Sequence, residues 1–149
     1  MRSVVQRVRS ARIAVGAESV AEMGPGLLAL VGVAADDGEQ DARELARKLV
    51  HLRVLEDDAG RMNRSLLEAG GTLGVVSQFT LLGDARKGRR PSYTDAASPE
   101  VAAPLVELVM RCARDHGVPV VGGRFGASMD VHLVNHGPVT LLLDTAKTF

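Results

Sequence analysis

The chain has 149 residues, 46% apolar and 24% charged, and its 18 lysines and arginines are matched by 18 aspartates and glutamates. That length suits one domain with its own core, and the balance excludes a disordered chain or one that binds nucleic acid by net charge alone. No run reaches the ~18 apolar residues of a membrane span, the arginine-dotted N-terminus lacks the apolar segment of a signal peptide, and the single Cys112 excludes a disulfide framework and fits a reducing, cytoplasmic setting.

Residues 3–15 alternate loosely, with Val4, Val8, Ala11, Ile13 and Val15 as apolar points, and read as one or two strands. A turn at Gly24-Pro25-Gly26 leads into a run that stays apolar to Ala35. Without polar alternation, that run predicts a strand buried on both faces. The period then changes. Ala42, Leu45, Ala46 and Leu49 fall at i, i+3, i+4 and i+7 of one helix face, and Asp37 with Gln40 resembles a capping box. Residues 52–56 read as a short strand entering the polar loop "EDDAGRMNRS". "TLGVVSQFTLL" is the next strand and "GDARKGRRPSY" a basic, turn-rich loop. Ser98 as N-cap and Pro99 at the first helical position announce a second long helix. Its buried stripe is Val101, Leu105, Leu108, Val109 and Cys112, and Gly117 and Pro119 end it. After "VPVVGG" the last third reads strand, turn, strand, with "NHGPVT" (135–140) as a hairpin turn between "MDVHLV" and "LLLD". The order β-β-β-α-β-β-α-β-β-β, with no repeat or linker, predicts a single α+β domain over residues 1–149.

Several groups carry chemistry, and each also has a plain structural reading. Ser77, Gln78 and Thr80 put three hydrogen-bonding side chains into an otherwise apolar strand, where an unpaired buried polar group costs ~1–3 kcal/mol. They either bond to neighbouring backbone or form the polar floor of a pocket in which a free amide faces a carbonyl. Arg86, Lys87, Arg89 and Arg90 form either a solvated loop or a phosphate-contacting patch. Gly137-Pro138 is either an ordinary turn or a bend that aims two backbone carbonyls at a ligand, and X-Pro is the bond that commonly goes cis. Cys112, on an apolar helix stripe, reads as a small hydrophobe. His51, His116, His132 and His136 are scattered, so no metal site and no cofactor are expected.

Two of these stretches resemble the signatures of the D-aminoacyl-tRNA deacylases: Ser77-Gln78-Phe79-Thr80 and Asn135-His136-Gly137-Pro138-Val139-Thr140. "MRSVVQRV", "LLALVGV", "KGRRPSY" and "GRFGASMDVHLVN" are similar to the same family, so the likeness runs from Met1 to Thr145. One position departs from it, because His136 stands where the family usually has aspartate. The resemblance implies mixed β-sheets forming a barrel-like core with two main helices on one side. It implies a homodimer that hydrolyses the ester between a D-amino acid and the 3′-terminal adenosine of tRNA, without membrane or metal. In that picture Gly137-Pro138 is a cis peptide whose carbonyls enter the partner's site and exclude L residues. Glycine, having no side chain, escapes the filter, so glycyl-tRNA (glycine mischarged on tRNA-Ala included) is also a substrate. Ser77, Gln78, Phe79 and Thr80 are then the catalytic set, with water helped by the RNA 2′-hydroxyl or Thr80 itself as nucleophile. Phe125 and Met129 line an adenine pocket, Arg7 braces the Gly-Pro loop, Thr140 supports it, and Asn135 belongs with them to the substrate-binding set. Arg86, Lys87, Arg89 and Arg90 contact RNA. Two alternatives stay open: a non-catalytic dimer that binds RNA or nucleotide, and a relative shifted toward L-alanine on mischarged tRNA.

Overall fold

In the computed structural model, which describes residues 1–149, one 14-residue strand organises the sheet: β1, Arg2–Val15. On one side it pairs antiparallel with β3 (Gly26–Gly32) along Arg2–Val8 and with β2 (Glu18–Met23) along Ala11–Val15. Both strands run the same way along β1, so Gly24-Pro25 breaks one long antiparallel partner rather than reversing it. Proline, which cannot donate to the ladder, sits at the break. Beyond β3 the sheet turns parallel, β3 to β6 (Thr72–Ser77) to β7 (Val120–Gly122), and β7 packs back against β2, which nearly closes the sheet into a barrel. The α+β, barrel-like arrangement matches the expectation.

β3 is buried along almost its whole length, as an uninterrupted apolar run requires. Leu27, Ala29 and Val31 join a core of 23 buried residues under the helices α1 (Glu39–His51) and α3 (Pro99–Asp115). On the opposite face Leu28 joins a smaller cluster with Val8, Ala11, Ile13, Met23 and Val76. Ala42, Leu45, Ala46 and Leu49 are all buried, so the helical spacing in α1 identified its core face.

Several boundaries differ from the expectation for local reasons. Gly38, not Asp37, caps α1: its N–H donates to Asp41 Oδ2 at 3.0 Å, while the Asp37 carboxylate instead accepts from the Met1 ammonium at 2.7 Å and from the Ala34 N–H. β3 stops at Gly32, short of Ala35, and the strand placed at 52–56 shrinks to β4 (Leu55–Glu56), which pairs with β5 (Met62–Arg64) inside the supposed polar loop. A third, short helix α2 (Leu66–Ala69) follows, capped by a reciprocal Ser65–Glu68 box that the sequence carries in plain view. Val101 is 43% exposed; it belongs to the first turn of α3, outside the buried stripe that Leu105, Leu108, Val109 and Cys112 share.

The largest correction concerns residues 135–140. No hairpin forms there. β8 runs unbroken from Asp130 to Asp144, and both halves pair antiparallel with β1: Val131 lies opposite Ile13, Asn135 opposite Val8 and Thr140 opposite Gln6. The register skips between Gln6 and Val8, so His136 to Val139 bulge out of one continuous strand. The apolar runs on either side share one partner, a relation that alternation alone cannot distinguish from a hairpin.

Candidate functional site

The chain leaves the sheet at Ser77. Gln78 turns away with φ −146° and ψ 82°, its N–H donating to the Val31 carbonyl at 2.7 Å, and Phe79–Leu82 wind into one 3-10 turn. Extended alternation through Thr80 is therefore wrong, and the polar residues collect at a strand end. A cavity of 620 Å³ opens there, beyond the carboxyl ends of the parallel strands β3 and β6, a place where sheets of this kind commonly bind ligands. Its walls come from Val31 and Val33, from Ser77–Phe79, from the start of α3 (Pro99, Ala102, Val106) and from the segment before β8 (Phe125, Met129). Thirteen of its 17 lining residues are hydrophobic, and none is a carboxylate or an imidazole. One chain thus offers a bound ester shape and hydrogen bonds but no general base. The N–H groups of Phe79 and Thr80, at the start of the 3-10 turn, donate to no acceptor within the chain. The Thr80 hydroxyl lies outside the wall and accepts a hydrogen bond from the Gln78 side-chain amide.

The bulge is built as tightly as the cavity is open. Arg7, only 5% exposed, donates from Nε to the His136 carbonyl (2.9 Å), from one terminal nitrogen to the Val54 carbonyl (3.0 Å) and from the other to Glu56 Oε1 (3.2 Å). Asn135 spans the bulge. Its Oδ1 accepts from the Val139 N–H at 3.1 Å, and its Nδ2 donates to Thr140 Oγ1 at 3.0 Å, which also accepts from Gln6 at 3.2 Å. Gly137 has φ +128°, and a Cβ there would lie 2.9 Å from an Arg7 terminal nitrogen, so both conformation and space require glycine. The Gly137–Pro138 bond is cis. Both residues are exposed and neither lines the cavity of its own chain. The structure therefore brings Ser77, Gln78, Phe79, Phe125 and Met129 together, groups Arg7, Asn135, Gly137, Pro138 and Thr140 elsewhere, and joins the two sets only through the sheet.

In the basic loop, the backbones of Asp84 and Ser92 pair at its neck. Asp84 also grips Arg86 through two oxygens, at 2.9 and 2.7 Å, and the Arg86 side chain and N–H hold the Asp84 carboxyl down at about 2. Arg86 is thus committed to the loop, whereas Lys87, Arg89 and Arg90 are exposed and pair with no carboxylate.

Sequence reasoning missed Tyr93. In the sequence it is only the last residue of the basic stretch, yet it lines the cavity and packs edge-on against Phe79 with ring centroids 5.1 Å apart. Ala96, Ala97, Pro99 and Ala102, small residues just before α3 and in its first turns, were missed for a related reason: small residues make a wall by leaving room, and no periodicity marks that.

A family model described as "D-Tyr-tRNA(Tyr) deacylase" matches residues 4–144. The chain is 57% identical, over 98% of its length and 94% of the relative, to a D-aminoacyl-tRNA deacylase of Roseiflexus sp. (strain RS-1). It is 56% identical to another of Anaeromyxobacter dehalogenans (strain 2CP-C), with both chains covered completely. Among solved structures it superposes on the c-Myc DNA Unwinding Element Binding Protein with TM-score 0.92 at 34% identity, covering 97% of this chain and 99% of that one. A probable eukaryotic D-amino acid tRNA deacylase gives TM-score 0.80 at 18% identity, over 95% of this chain and 97% of that one, a likeness of fold alone. The match spans both signature stretches and nearly the whole chain. The chain belongs to the D-Tyr-tRNA(Tyr) deacylase family.

Proposed function

We propose that this chain is a cytoplasmic hydrolase that cleaves the ester of D-aminoacyl-tRNA, releasing the D-amino acid and free tRNA. The observation that carries this reading is the cavity at the end of β6, where the Ser77–Thr80 stretch leaves two amides without acceptors beside an apolar enclosure. The terminal adenosine fits against Phe125 and Met129, and the ester carbonyl faces the amides of Phe79 and Thr80. As water adds to the carbonyl carbon, the developing oxyanion takes those two N–H bonds, each donor commonly worth ~2.7–4 kcal/mol in a site of this kind. The C–O bond to the ribose 3′-oxygen then breaks, and that oxygen leaves protonated as the tRNA hydroxyl. With no carboxylate or imidazole in the wall, the RNA's own 2′-hydroxyl assists the water, while Ser77, Gln78 and Thr80 position the ester.

Handedness is set by the bulge. Gly137-Pro138 is exposed in one chain, rigidly braced, and outside the wall of its own cavity. A homodimer in which each bulge closes the partner's cavity turns that rigidity into a wall of carbonyls around the substrate α-carbon. An L side chain collides with the wall, a D side chain points outward, and glycine passes, including glycine mischarged on tRNA-Ala. Lys87, Arg89 and Arg90 hold the acceptor-stem phosphates, with Arg86 shaping their loop. Incubation with D-tyrosyl-tRNA tests the reading: release of D-tyrosine supports it, and binding without ester loss establishes a non-catalytic RNA-binding protein instead.

A further inference from the structure

Aromatic side chains are scarce in this chain: three phenylalanines, one tyrosine and no tryptophan. A protein with so few large rings gains most by burying them in its core. Here the core holds none. Three of the four line the cavity at the end of β6, and all three are exposed: Phe79 by 58%, Phe125 by 40% and Tyr93 by 39%. A single bound adenine does not account for three rings. Phe125 comes from the segment before β8, alongside Met129, whereas Phe79 and Tyr93 belong to a separate unit, packed edge to face at 5.1 Å.

That second unit is joined to the basic loop. Tyr93 directly follows Ser92, which pairs with Asp84 to close the loop's neck. Gly83, just before Asp84, packs so tightly on the tyrosine that an added Cβ would sit 2.9 Å from the ring. Lys87, Arg89 and Arg90 extend from this neck, so a path of positive charge ends on two exposed rings at the cavity mouth. Aromatic rings beside unpaired basic side chains are the physical recipe for single-stranded nucleic acid: phosphates follow the charge and bases stack on the rings.

We propose that Phe79 and Tyr93 form a stacking site for the unpaired base that precedes the terminal adenosine of the RNA. The inference rests on the deacylase reading and deepens it. The cavity takes the last nucleoside, the ring pair takes the next base, and the basic loop takes the phosphates beyond. The 3′ end is thereby held extended, which fixes where its ester enters the cavity.

Tyr93 is the sole tyrosine and there is no tryptophan, so the intrinsic fluorescence of the folded chain reports this residue. The full-length protein is titrated with the dinucleotide CpA and with an analogue whose first nucleotide lacks its base, followed by tyrosine emission and by calorimetry. The expected result is quenching by CpA, much weaker quenching by the abasic analogue, and about tenfold tighter binding of CpA. Tyr93→Leu, with its fold checked by circular dichroism, should erase that preference; Tyr93→Phe should keep it. Equal affinity for the two ligands, or a preference that survives Tyr93→Leu, overturns the inference while ester release from D-tyrosyl-tRNA leaves the deacylase reading standing. Absence of both CpA binding and ester release overturns the two together.

Discussion

Arg7 shows how one buried side chain ties three distant parts of the chain together. Its guanidinium donates to carbonyls from β8 and from the residue before β4, and meets Glu56 besides. A lysine offers a single point of charge in place of a planar fork and serves these three acceptors poorly. Arg7→Ala strands two carbonyls and should cost about 2–4 kcal/mol, read as a fall of roughly 6–12 °C in Tm; Arg7→Lys should recover only part of the loss. Gly137→Ala forces a side chain into a positive φ and against Arg7, with an expected cost of about 1–3 kcal/mol in a chemical-denaturation experiment. Both signatures were visible at this scale as residue types. Their geometry was not, because whether Asn135 closes a hairpin or bridges a bulge depends on its partner strand, a choice made by residues more than a hundred positions away.

Among the elements, the ones with a long and regular period were legible. The face of α1 and the apolar run of β3 stand out because burial imposes spacing over many residues. The 3-10 turn at Phe79–Leu82 did not, since four residues carry no period and the strand before it reads on smoothly. The basic loop supplies an electrostatic prediction: replacing Lys87, Arg89 and Arg90 together by glutamine should lower the slope of log affinity for tRNA against log salt by roughly 2–3. Arg86→Gln should change that slope least, because Asp84 already holds this charge. A pH prediction belongs to the clamp at the start of α1. The Gly38 N–H and the Thr145 hydroxyl hold the Asp41 carboxyl below its ordinary 3.8. At Asp144, burial raises the carboxyl, but hydrogen bonds from Thr148 and the Ala146 N–H outweigh it and the net direction is down. Groups lowered on folding contribute stability that is complete above their unfolded value and is lost as pH falls through the folded one. Tm should therefore fall as the pH drops below about 4, and Thr145→Val, which removes one of Asp41's partners, should make that fall shallower.

For the whole molecule, the α+β class followed from element order and the barrel-like sheet from resemblance, whereas spacing alone gave no sign that the two signature stretches stand apart. They lie in one chain but face different surroundings, one an open cavity and the other an exposed, rigid bulge. The proposed twofold dimer would resolve this by exchange, since each chain would then supply what its partner lacks. Mixing variants makes that arrangement measurable. Pro138→Ala alone should raise hydrolysis of the L-ester by about tenfold or more. Co-assembly with an excess of a Ser77→Trp chain, whose cavity is filled but whose bulge is intact, should restore rejection of the L-ester. An L rate that does not change on mixing would place the bulge and the cavity it guards in the same chain.

The most direct measurement is the rate of ester loss from one tRNA charged in turn with D-tyrosine, L-tyrosine and glycine, using the unaltered protein. Rapid release of D-tyrosine and glycine with L-tyrosine left attached is the predicted result; D and L esters lost at the same rate would contradict it.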